Sequence, residues 1–204
     1  MKLKHFTKMT GIIILAAGSS SRLGTPKQNL IYKNETLLQR AIKAAQSTGC
    51  YPIIVVLGAN FKAINPTVED LPVSIVYNAE WNEGMSSSIR LGISELQKNQ
   101  AKIDSVILML CDQPFVNTEL LHQLVLSGTK KSVVVCAYNS GIGPPVFFDS
   151  YYFPELLLLK GNEGAKKLIL KHEAHITTIP FPLGSIDIDT LDDFERLKDF
   201  GKKN

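Results

Sequence analysis

The sequence contains few cysteines, little net charge and no long apolar segment. Its cysteines, Cys50, Cys111 and Cys136, are far apart and form no C-x-x-C pair, which argues against a disulfide framework or a zinc knuckle. The formal net charge of +3 is too small to predict a nucleic-acid partner. No apolar run approaches the roughly 18–20 residues that a membrane span needs. We therefore expect neither a nucleic acid nor a membrane as a partner.

Length and composition fit an ordinary globular domain. The chain has 204 residues, of which 45% are hydrophobic and 20% charged, enough for a sizeable core. We expect a single domain over residues 1–204, with tails at 1–10 and 198–204. Residues 1–10 lack the apolar core of a signal peptide, so we expect a cytoplasmic protein. His172 and His175 have no third ligand nearby in the sequence, which predicts a surface pair rather than a metal site.

Near-continuous apolar runs predict buried strands. They cover Ile12–Ala17, Ile53–Leu57, Val73–Val76, Val106–Leu110 and Val133–Ala137. Runs without polar alternation are typical of strands covered on both faces. Amphipathic helical patterns lie at Thr36–Thr48, Met85–Gln100 and Asn117–Leu126. This order predicts an α/β fold, a Rossmann-like three-layer sandwich around a mostly parallel central sheet.

The most informative segment is the loop after the first apolar run. Small residues, serines and cations follow one another in the order Leu15, Ala16, Ala17, Gly18, Ser19, Ser20, Ser21, Arg22, Leu23, Gly24, Thr25, Pro26 and Lys27. Such a loop lets main-chain N–H groups approach a polyphosphate, while Arg22 and Lys27 supply positive charge. Its spacing fits neither the Walker A pattern nor the dinucleotide fingerprint. The loop therefore predicts a nucleoside triphosphate site of another kind.

Acidic residues follow two other segments. Asp112 ends an apolar run, where a carboxylate is costly unless it is paired or binds a cation. Magnesium suits this position beside a triphosphate because it prefers oxygen ligands. Asp187 and Asp189 alternate, so an extended segment would place both carboxylates on one side. The alternative is that Asp189 or Thr190 simply caps the last helix.

A third region lies between two predicted elements. Gly84 and Met85 precede three serines that open a helical pattern. Their hydroxyl and N–H groups are suited to hold ribose, base or phosphate. Ser86 or Ser87 could equally cap the helix with no ligand, and the sequence leaves both interpretations open.

Taken in order, these segments resemble the motifs of nucleotidyltransferases related to molybdenum cofactor cytidylyltransferase and guanylyltransferase. The matching segments are LAAGSSSRLGTPKQ at 15–28, NAEWNEGMSSS at 78–88, DQP at 112–114, GPPVF at 143–147, GNEGA at 161–165 and DIDT at 187–190. The resemblance spans residues 11–197 and implies the nucleotide-diphospho-sugar transferase type of fold.

The resemblance also implies roles for individual residues. Those implied to bind the nucleotide are Leu15, Ala16, Ala17, Gly18, Ser19, Ser20, Arg22, Lys27, Asn78, Gly84 and Ser88. The implied catalytic residues are Arg22, Lys27 and Asp112. Asp112 and Asp189 are the implied Mg²⁺ ligands, and Gln113, Pro145 and Asp187 are implied to contact the acceptor.

The implied reaction moves a nucleoside monophosphate to a phosphate acceptor and releases pyrophosphate. An acceptor phosphate with a second pKa of about 6 is already largely dianionic at neutral pH, so no general base is required. Catalysis then consists of aligning two anions and neutralising charge. Ala17-Gly18 resembles the cytidylyl-transferring branch, since the guanylyl-transferring branch usually has two glycines there. This favours CTP over GTP and molybdopterin as the acceptor, with a molybdenum hydroxylase or its chaperone as a further partner.

Departures from the family pattern leave the acceptor open. Cys111, Asn29 and Asn162 replace residues that the family usually has at these positions. One alternative is a sugar or polyol phosphate as acceptor. Another is a glycosyltransferase, whose metal motif Asp187-Ile188-Asp189 resembles, although that motif usually lies mid-chain. A third is a non-catalytic pterin- or nucleotide-binding maturation factor of a molybdenum hydroxylase.

Overall fold

The computed structural model describes residues 9–98, 102–139, 141–162 and 164–203. The strands are β1 (Thr10–Ala16), β2 (Ile31–Tyr32), β3 (Glu35–Thr36), β4 (Ile53–Leu57), β5 (Ser74–Tyr77), β6 (Ser105–Leu110), β7 (Val133–Tyr138), β8 (Gly141–Asp149) and β9 (Ile176–Pro180). The α-helices are α1 (Leu37–Gln46), α2 (Phe61–Ile64), α3 (Met85–Gln97), α4 (Thr118–Ser127), α5 (Phe153–Leu156), α6 (Lys166–Lys171) and α7 (Leu191–Lys203).

Seven strands form a central sheet in the order β5-β4-β1-β6-β8-β7-β9, and β2 and β3 form a separate hairpin. The neighbours β5, β4, β1 and β6 are parallel, as are β7 and β9. Strand β8 runs antiparallel to both β6 and β7. The mostly parallel α/β fold predicted from the apolar runs is therefore confirmed, with one reversed strand between two parallel groups.

Side chains of β1 alternate between two cores on opposite faces of the sheet. Ile12 and Ile14 are fully buried with α1 and α4 in one core. Ile13 and Leu15 belong to the other core, with α3, α5 and α6. Burial of one such side chain stabilises the fold by about 1.5–3 kcal/mol. Helices thus cover both faces of the sheet, which gives the predicted three layers.

Two helices begin at polar residues whose side chains cap them. The Thr36 hydroxyl accepts a bond from the Gln39 N–H, and the Gln39 side chain accepts one from Thr36. The side chain of Asn117 accepts a 2.9 Å bond from the Leu120 N–H and caps α4 at the start of the predicted helical pattern. Because caps satisfy N–H groups that lack helical partners, they fix where each helix starts.

The chain ends differ from the expected tails. Thr10 opens β1, and its hydroxyl lies 2.8 Å from the Ser105 hydroxyl of β6. Residues 198–203 complete α7 instead of forming a tail, and Phe200 packs edge-to-face on Phe115 with ring centroids 5.1 Å apart. The amphipathic spacing of α7, with Phe194 and Leu197 buried, continues the helix through the lysines. Residues 1–8 and 204 lie outside the described residues.

Candidate nucleotide-binding site

The predicted loop and the predicted aspartate meet because β1 and β6 are parallel neighbours. Leu15 of β1 is in register with Leu110 of β6, so the segments that follow both strands emerge at the same edge. Carboxyl ends of parallel strands are the usual place for ligands in such sheets. A cleft of about 380 Å³ opens at this edge. The site residues predicted from the sequence that line it are Leu15, Ala16, Ala17, Gly18, Ser19, Lys27, Gly84, Ser88 and Asp112.

Internal hydrogen bonds hold the loop between β1 and Lys27 in shape. Ser20 has a φ of +55°, and its hydroxyl accepts a 3.0 Å bond from the Lys27 N–H. Gln28 is fully buried and donates from Nε2 to the carbonyl oxygens of Ala16 (2.8 Å) and Gly18 (3.2 Å). The sequence analysis assigned no role to Gln28, because a glutamine by itself carries no structural signal. These hydrogen bonds connect the end of the loop, at Lys27 and Gln28, to its beginning at Ala16, Gly18 and Ser20.

The cations predicted to bind phosphate are paired with the two aspartates predicted to bind metal. Lys27 Nζ donates to Asp112 Oδ2 at 2.5 Å and to Asp189 Oδ1 at 2.9 Å. Arg22 Nη2 donates to Asp189 Oδ2 at 2.6 Å. The side chains of Lys27 and Asp112 are only 15% and 11% exposed, whereas that of Arg22 is 68% exposed. The site is therefore one connected cluster with a buried centre and a solvent-exposed guanidinium.

Asp189 reaches this cluster because its neighbour provides the helix cap. The Thr190 hydroxyl accepts from the Asp193 N–H at 3.2 Å, and Asp193 Oδ2 accepts from the Thr190 N–H at 2.9 Å. This reciprocal pair caps α7 and leaves the Asp189 carboxylate to Lys27 and Arg22. The fully buried Ile188 donates its N–H to the carbonyl oxygen of Asp112 at 3.1 Å. Of the two candidates for the cap, Thr190 is the one that the structure shows.

The cluster shifts the acid–base equilibria of its members. Burial alone would lower the pKa of Lys27, but the charge and hydrogen bond of Asp112, with the bond to Asp189, raise that pKa well above its usual value. Burial opposes ionisation of Asp189, yet Lys27 and Arg22 hold the pKa of this carboxyl below its usual range. Partial burial and the charges of Asp112 and Asp189 raise the pKa of Asp187. Lys27 is therefore protonated at neutral pH. Burial and the two neighbouring carboxylates disfavour the ionised form of Asp187.

One carboxylate oxygen in this cluster has no hydrogen-bond partner. Asp112 Oδ1 is buried and unpartnered, which is unfavourable for a charged oxygen unless a cation or a donor reaches it. Among the described residues, no group of three or more His, Cys, Asp or Glu side chains is placed to bind a metal by itself. Two carboxylates completed by phosphate oxygens are a ligand set that Mg²⁺ accepts. The donor set thus fits a divalent ion that arrives together with a nucleotide.

The serines at the start of α3 have different surroundings. Asn78 donates from Nδ2 to the hydroxyls of Ser87 (2.8 Å) and Ser88 (3.0 Å). The Ser87 hydroxyl donates to the carbonyl oxygens of Glu80 and Gly84, whereas Ser88 lines the cleft. Ser87 therefore stabilises the turn before α3. Asn78 does not line the cleft, and its hydrogen bonds orient the hydroxyls of Ser87 and Ser88.

The turn before α3 meets the segment before α6 at the cleft, which Gly84 and Asn162 both line. Arg90 donates from both terminal nitrogens to the carboxylate of Glu83 (2.9 and 2.6 Å) and from Nη1 to the carbonyl oxygen of Leu159 (2.7 Å). Gly84 has a φ of +113°, and a Cβ there would lie 2.0 Å from Asn162 Oδ1. Glycine is thus required for the close approach that brings Asn162 to the cleft. Sequence reasoning missed Arg90, which joins Glu83, seven residues before it, to Leu159, 69 residues after it.

None of the residues predicted to contact the acceptor, Gln113, Pro145 and Asp187, lines the cleft. Gln113 Nε2 donates to the Tyr138 hydroxyl (2.8 Å) and to the carbonyl oxygen of Gly184 (2.9 Å). Tyr138 in turn donates to the carbonyl oxygen of Pro144, and the following Pro144–Pro145 bond is cis. Gln113 Oε1 is buried without a partner. Tyr138, which the sequence analysis did not select, thus joins Gln113 to the reversed strand β8.

The histidine pair is not part of any metal cluster among the described residues. His172 Nε2 lies 2.9 Å from Glu155 Oε1, and the ring centroids of His172 and His175 are 6.3 Å apart. His175 is exposed. Only His175 of the predicted surface pair is therefore exposed, since His172 is half-buried and its ring packs on Tyr152 with centroids 4.9 Å apart. No helix in the described part of the chain is long and apolar enough to cross a membrane.

Fold and cleft together are those of a nucleotidyltransferase. Residues 12–176 match the MobA-like NTP transferase domain, and the chain belongs to that family. The resemblance seen in the sequence motifs is thereby confirmed.

Named relatives differ in their described activities. The chain is 28% identical to nicotine blue oxidoreductase of Paenarthrobacter nicotinovorans, over 93% of this chain and 96% of the relative. It is 27% identical to the purine catabolism protein PucB of Bacillus subtilis, over 88% and 90% of the two chains. It is 23% identical to the molybdenum cofactor cytidylyltransferase of Escherichia coli, over 92% and 94%.

Solved structures of a mycobacterial protein share the fold over nearly the whole chain. Rv0371c from Mycobacterium tuberculosis has a TM-score of 0.82 and 30% identity, with 95% of this chain and 100% of that chain covered. Its complex with manganese has a TM-score of 0.78 and 28% identity, with 95% and 99% covered. A similar protein thus binds a divalent metal ion.

Proposed function

We propose that the protein is a Mg²⁺-dependent cytidylyltransferase that transfers CMP from CTP to a phosphorylated acceptor and releases pyrophosphate. The favoured acceptor is molybdopterin or the molybdenum cofactor. The observation that carries the proposal is the cluster of Arg22, Lys27, Asp112 and Asp189 at the ends of β1 and β6. Such a cluster, with an unpartnered carboxylate oxygen, is suited to a triphosphate and a divalent ion.

In this proposal the phosphate chain lies along the loop after β1. The N–H groups of Leu15 to Ser20 face phosphate oxygens, and the exposed Arg22 binds the β- and γ-phosphates. Lys27 binds the α-phosphoryl group as negative charge grows there. A preorganised charge or donor of this kind is worth roughly 3–4 kcal/mol in the transition state. Because the acceptor phosphate is already ionised, the protein needs to align it and exclude competing water rather than deprotonate it.

Asp112 and Asp189 would hold the divalent ion, with Asp112 Oδ1 available for it without breaking an existing bond. When bound, Mg²⁺ would neutralise charge on the phosphate oxygens and on the departing pyrophosphate. The manganese complex of the related Rv0371c supports a divalent ion, and magnesium is proposed for this chain. Ser88 and Gly84 are proposed to contact the nucleotide at the opposite wall, with Asn78 supporting Ser88.

The acceptor is proposed to approach from the side of Gln113, Pro145 and Asp187. Gln113 Oε1 offers a buried hydrogen-bond acceptor for an N–H group, which a pterin carries. The named cytidylyltransferase relative supports molybdopterin. A product of this kind would pass to a molybdenum hydroxylase or its chaperone, in the cytoplasm.

A screen for pyrophosphate release tests the proposal. The purified protein is incubated with Mg²⁺ and each of four nucleoside triphosphates, with molybdopterin, with sugar or polyol phosphates, or without acceptor. We expect release with CTP and molybdopterin and a cytidylylated pterin by mass spectrometry. Release with a sugar phosphate instead would reassign the acceptor. Binding without release for every combination would overturn the enzymatic assignment in favour of a maturation factor.

An additional arm addresses the relative that is described as an oxidoreductase. The same protein is incubated with NADH or NADPH and an electron acceptor, and cofactor oxidation is followed by absorbance. We expect none, because the loop after β1 does not have the dinucleotide spacing. Oxidation that depends on Lys27 would contradict the proposed function.

A further inference from the structure

The ammonium group of Lys27 lies between the two carboxylates that are proposed to bind the metal ion. It contacts Asp112 Oδ2 at 2.5 Å and Asp189 Oδ1 at 2.9 Å, in a setting where the lysine is 15% exposed. A cation that bridged these two oxygens would have to lie close to Lys27 Nζ. Two positive groups cannot share that place, since their repulsion in a partly buried site is strong.

We infer that Lys27 is an internal counter-cation, which a divalent metal ion displaces from between Asp112 and Asp189. The inference rests on the proposed function for its metal ion and adds a competition between that ion and one side chain. In the free protein, Lys27 neutralises the aspartates. When the metal ion binds, the displaced ammonium becomes available to an anion in the cleft, such as a phosphate group.

The surroundings of Lys27 allow the side chain to move without the backbone. Its N–H is held by the Ser20 hydroxyl at 3.0 Å, and the adjacent Gln28 is anchored to β1. A lysine side chain has a flexible four-carbon stem and a compact charge, so the ammonium can swing while the backbone stays fixed. Asp112 Oδ1, which has no partner, offers an incoming ion a first ligand before Lys27 leaves.

Competition between Lys27 and the metal ion for the two aspartates predicts that the affinities for metal ion and nucleotide are coupled. A phosphate that binds the displaced ammonium stabilises the state in which the metal ion holds the aspartates. Linkage then requires that metal and nucleotide each strengthen the binding of the other. Without nucleotide, the wild-type protein should bind metal weakly, because binding to both aspartates costs the two contacts that Lys27 makes with them.

Binding of Mn²⁺ alone, followed by electron paramagnetic resonance, tests the inference without any turnover. We expect Lys27→Met to bind Mn²⁺ at least tenfold more tightly than the wild type in the absence of nucleotide. Lys43→Met, which removes an exposed partner of Glu35, is the matched control for loss of one positive charge and should change affinity less than twofold. Unchanged or weaker Mn²⁺ binding by Lys27→Met would overturn the inference.

A second measurement on the wild-type protein does not depend on the folding of a variant. Amine labelling with acetic anhydride is quantified for each lysine by mass spectrometry, with and without saturating Mg²⁺. We expect labelling of Lys27 to rise at least threefold with Mg²⁺ and that of Lys43 to stay constant. No change at Lys27 would contradict displacement. Displacement of Lys27 without pyrophosphate release would support this inference and reject the proposed function. Pyrophosphate release without displacement of Lys27 would support the proposed function and reject this inference.

Discussion

The two halves of the central sheet build the site in different ways. In the half formed by β5, β4, β1 and β6, all strands are parallel, and the segments that follow β1 and β6 supply the Lys27 loop and Asp112 to one edge. In the other half, β8 is reversed, and the polar contacts join segments far apart in the chain, as in Gln113 with Tyr138 and Gly184. The proposed nucleotide side is therefore built from segments that directly follow parallel strands, with Asp189 joining from the segment before α7, whereas the proposed acceptor side is linked through the reversed strand β8.

The largest effects should follow from changes in the charged cluster of the parallel half. Lys27→Ala and Asp112→Ala should each lower turnover at least a hundredfold, since each removes a charge worth roughly 3–4 kcal/mol at the reacting phosphates. Steady-state pyrophosphate release measures this, with circular dichroism to verify folding. Near-wild-type turnover in either variant would show that the residue is not catalytic. It would also show that the parallel half does not hold the residues on which turnover depends most.

The sequence was sufficient for most of the parallel half. Apolar runs located β1, β4, β5 and β6 within two residues, because strands buried on both faces need apolar side chains throughout. It also selected Lys27 and Asp112, through the cations after one apolar run, the carboxylate at the end of another and the family motifs that contain both; their roles stay predictions.

The reversed half was predicted only in part, since the apolar run Val133–Ala137 located β7 but no pattern located β8 or β9. Strand β8 contains Gly141, Gly143 and two prolines, which are depleted in strands, and its pairing with β6 and β7 is set by tertiary contacts. The link from Tyr138 to Gln113 joins residues 25 positions apart and leaves no local pattern. For Asp189 the sequence allowed either a helix cap or a metal ligand; the hydrogen bonds between Thr190 and Asp193 show that Thr190 is the cap, and the ligand role of Asp189 stays a prediction.

Removing the tertiary link of the acceptor half should affect the acceptor more than the nucleotide. Tyr138→Phe deletes the hydroxyl that bonds to Gln113 and to Pro144. We expect KM for the acceptor to rise about tenfold, consistent with roughly 1–3 kcal/mol for an unpaired buried polar group, while KM for CTP stays within twofold. Initial rates with each substrate varied in turn measure both. An equal rise in KM for CTP would show that the two halves do not act separately.

The preference for CTP over GTP should depend on the methyl group of Ala17, in the parallel half. Ala17 is 7% exposed and lines the cleft, so its methyl group occupies space beside the proposed nucleotide. Ala17→Gly should shift the ratio of kcat/KM for CTP over GTP toward GTP by about tenfold, the scale of one methylene in a fitted pocket. Competition between the two nucleotides in one reaction measures the ratio. An unchanged ratio would place base selection elsewhere.

Two helix caps offer a matched comparison of stability and activity. Thr190→Ala and Asn117→Ala each remove a cap and should lower the free energy of unfolding by about 1 kcal/mol. Only Thr190 directly follows a member of the charged cluster, so Thr190→Ala should also lower turnover several-fold. Urea unfolding and pyrophosphate release measure the two properties. Equal losses of turnover in both variants would mean that the cap of α7 does not position Asp189.

The smallest effects should appear in the pH dependence of stability, where Asp187 and Asp189 should behave oppositely. The pKa of Asp189 is lowered by Lys27 and Arg22, so its ionisation stabilises the fold above the unfolded pKa of about 3.9 and that stability is lost as pH falls through the lower folded pKa. The pKa of Asp187 is raised by burial and by Asp112 and Asp189, so its ionisation destabilises the fold as pH rises. At neutral pH, Asp189→Asn should therefore unfold at lower urea concentration than the wild type, and Asp187→Asn at higher concentration. Both differences should shrink once the medium is acidic enough to protonate both carboxyls in the folded and unfolded states. A shift of the same sign for both variants at neutral pH would contradict the charge distribution of the cluster.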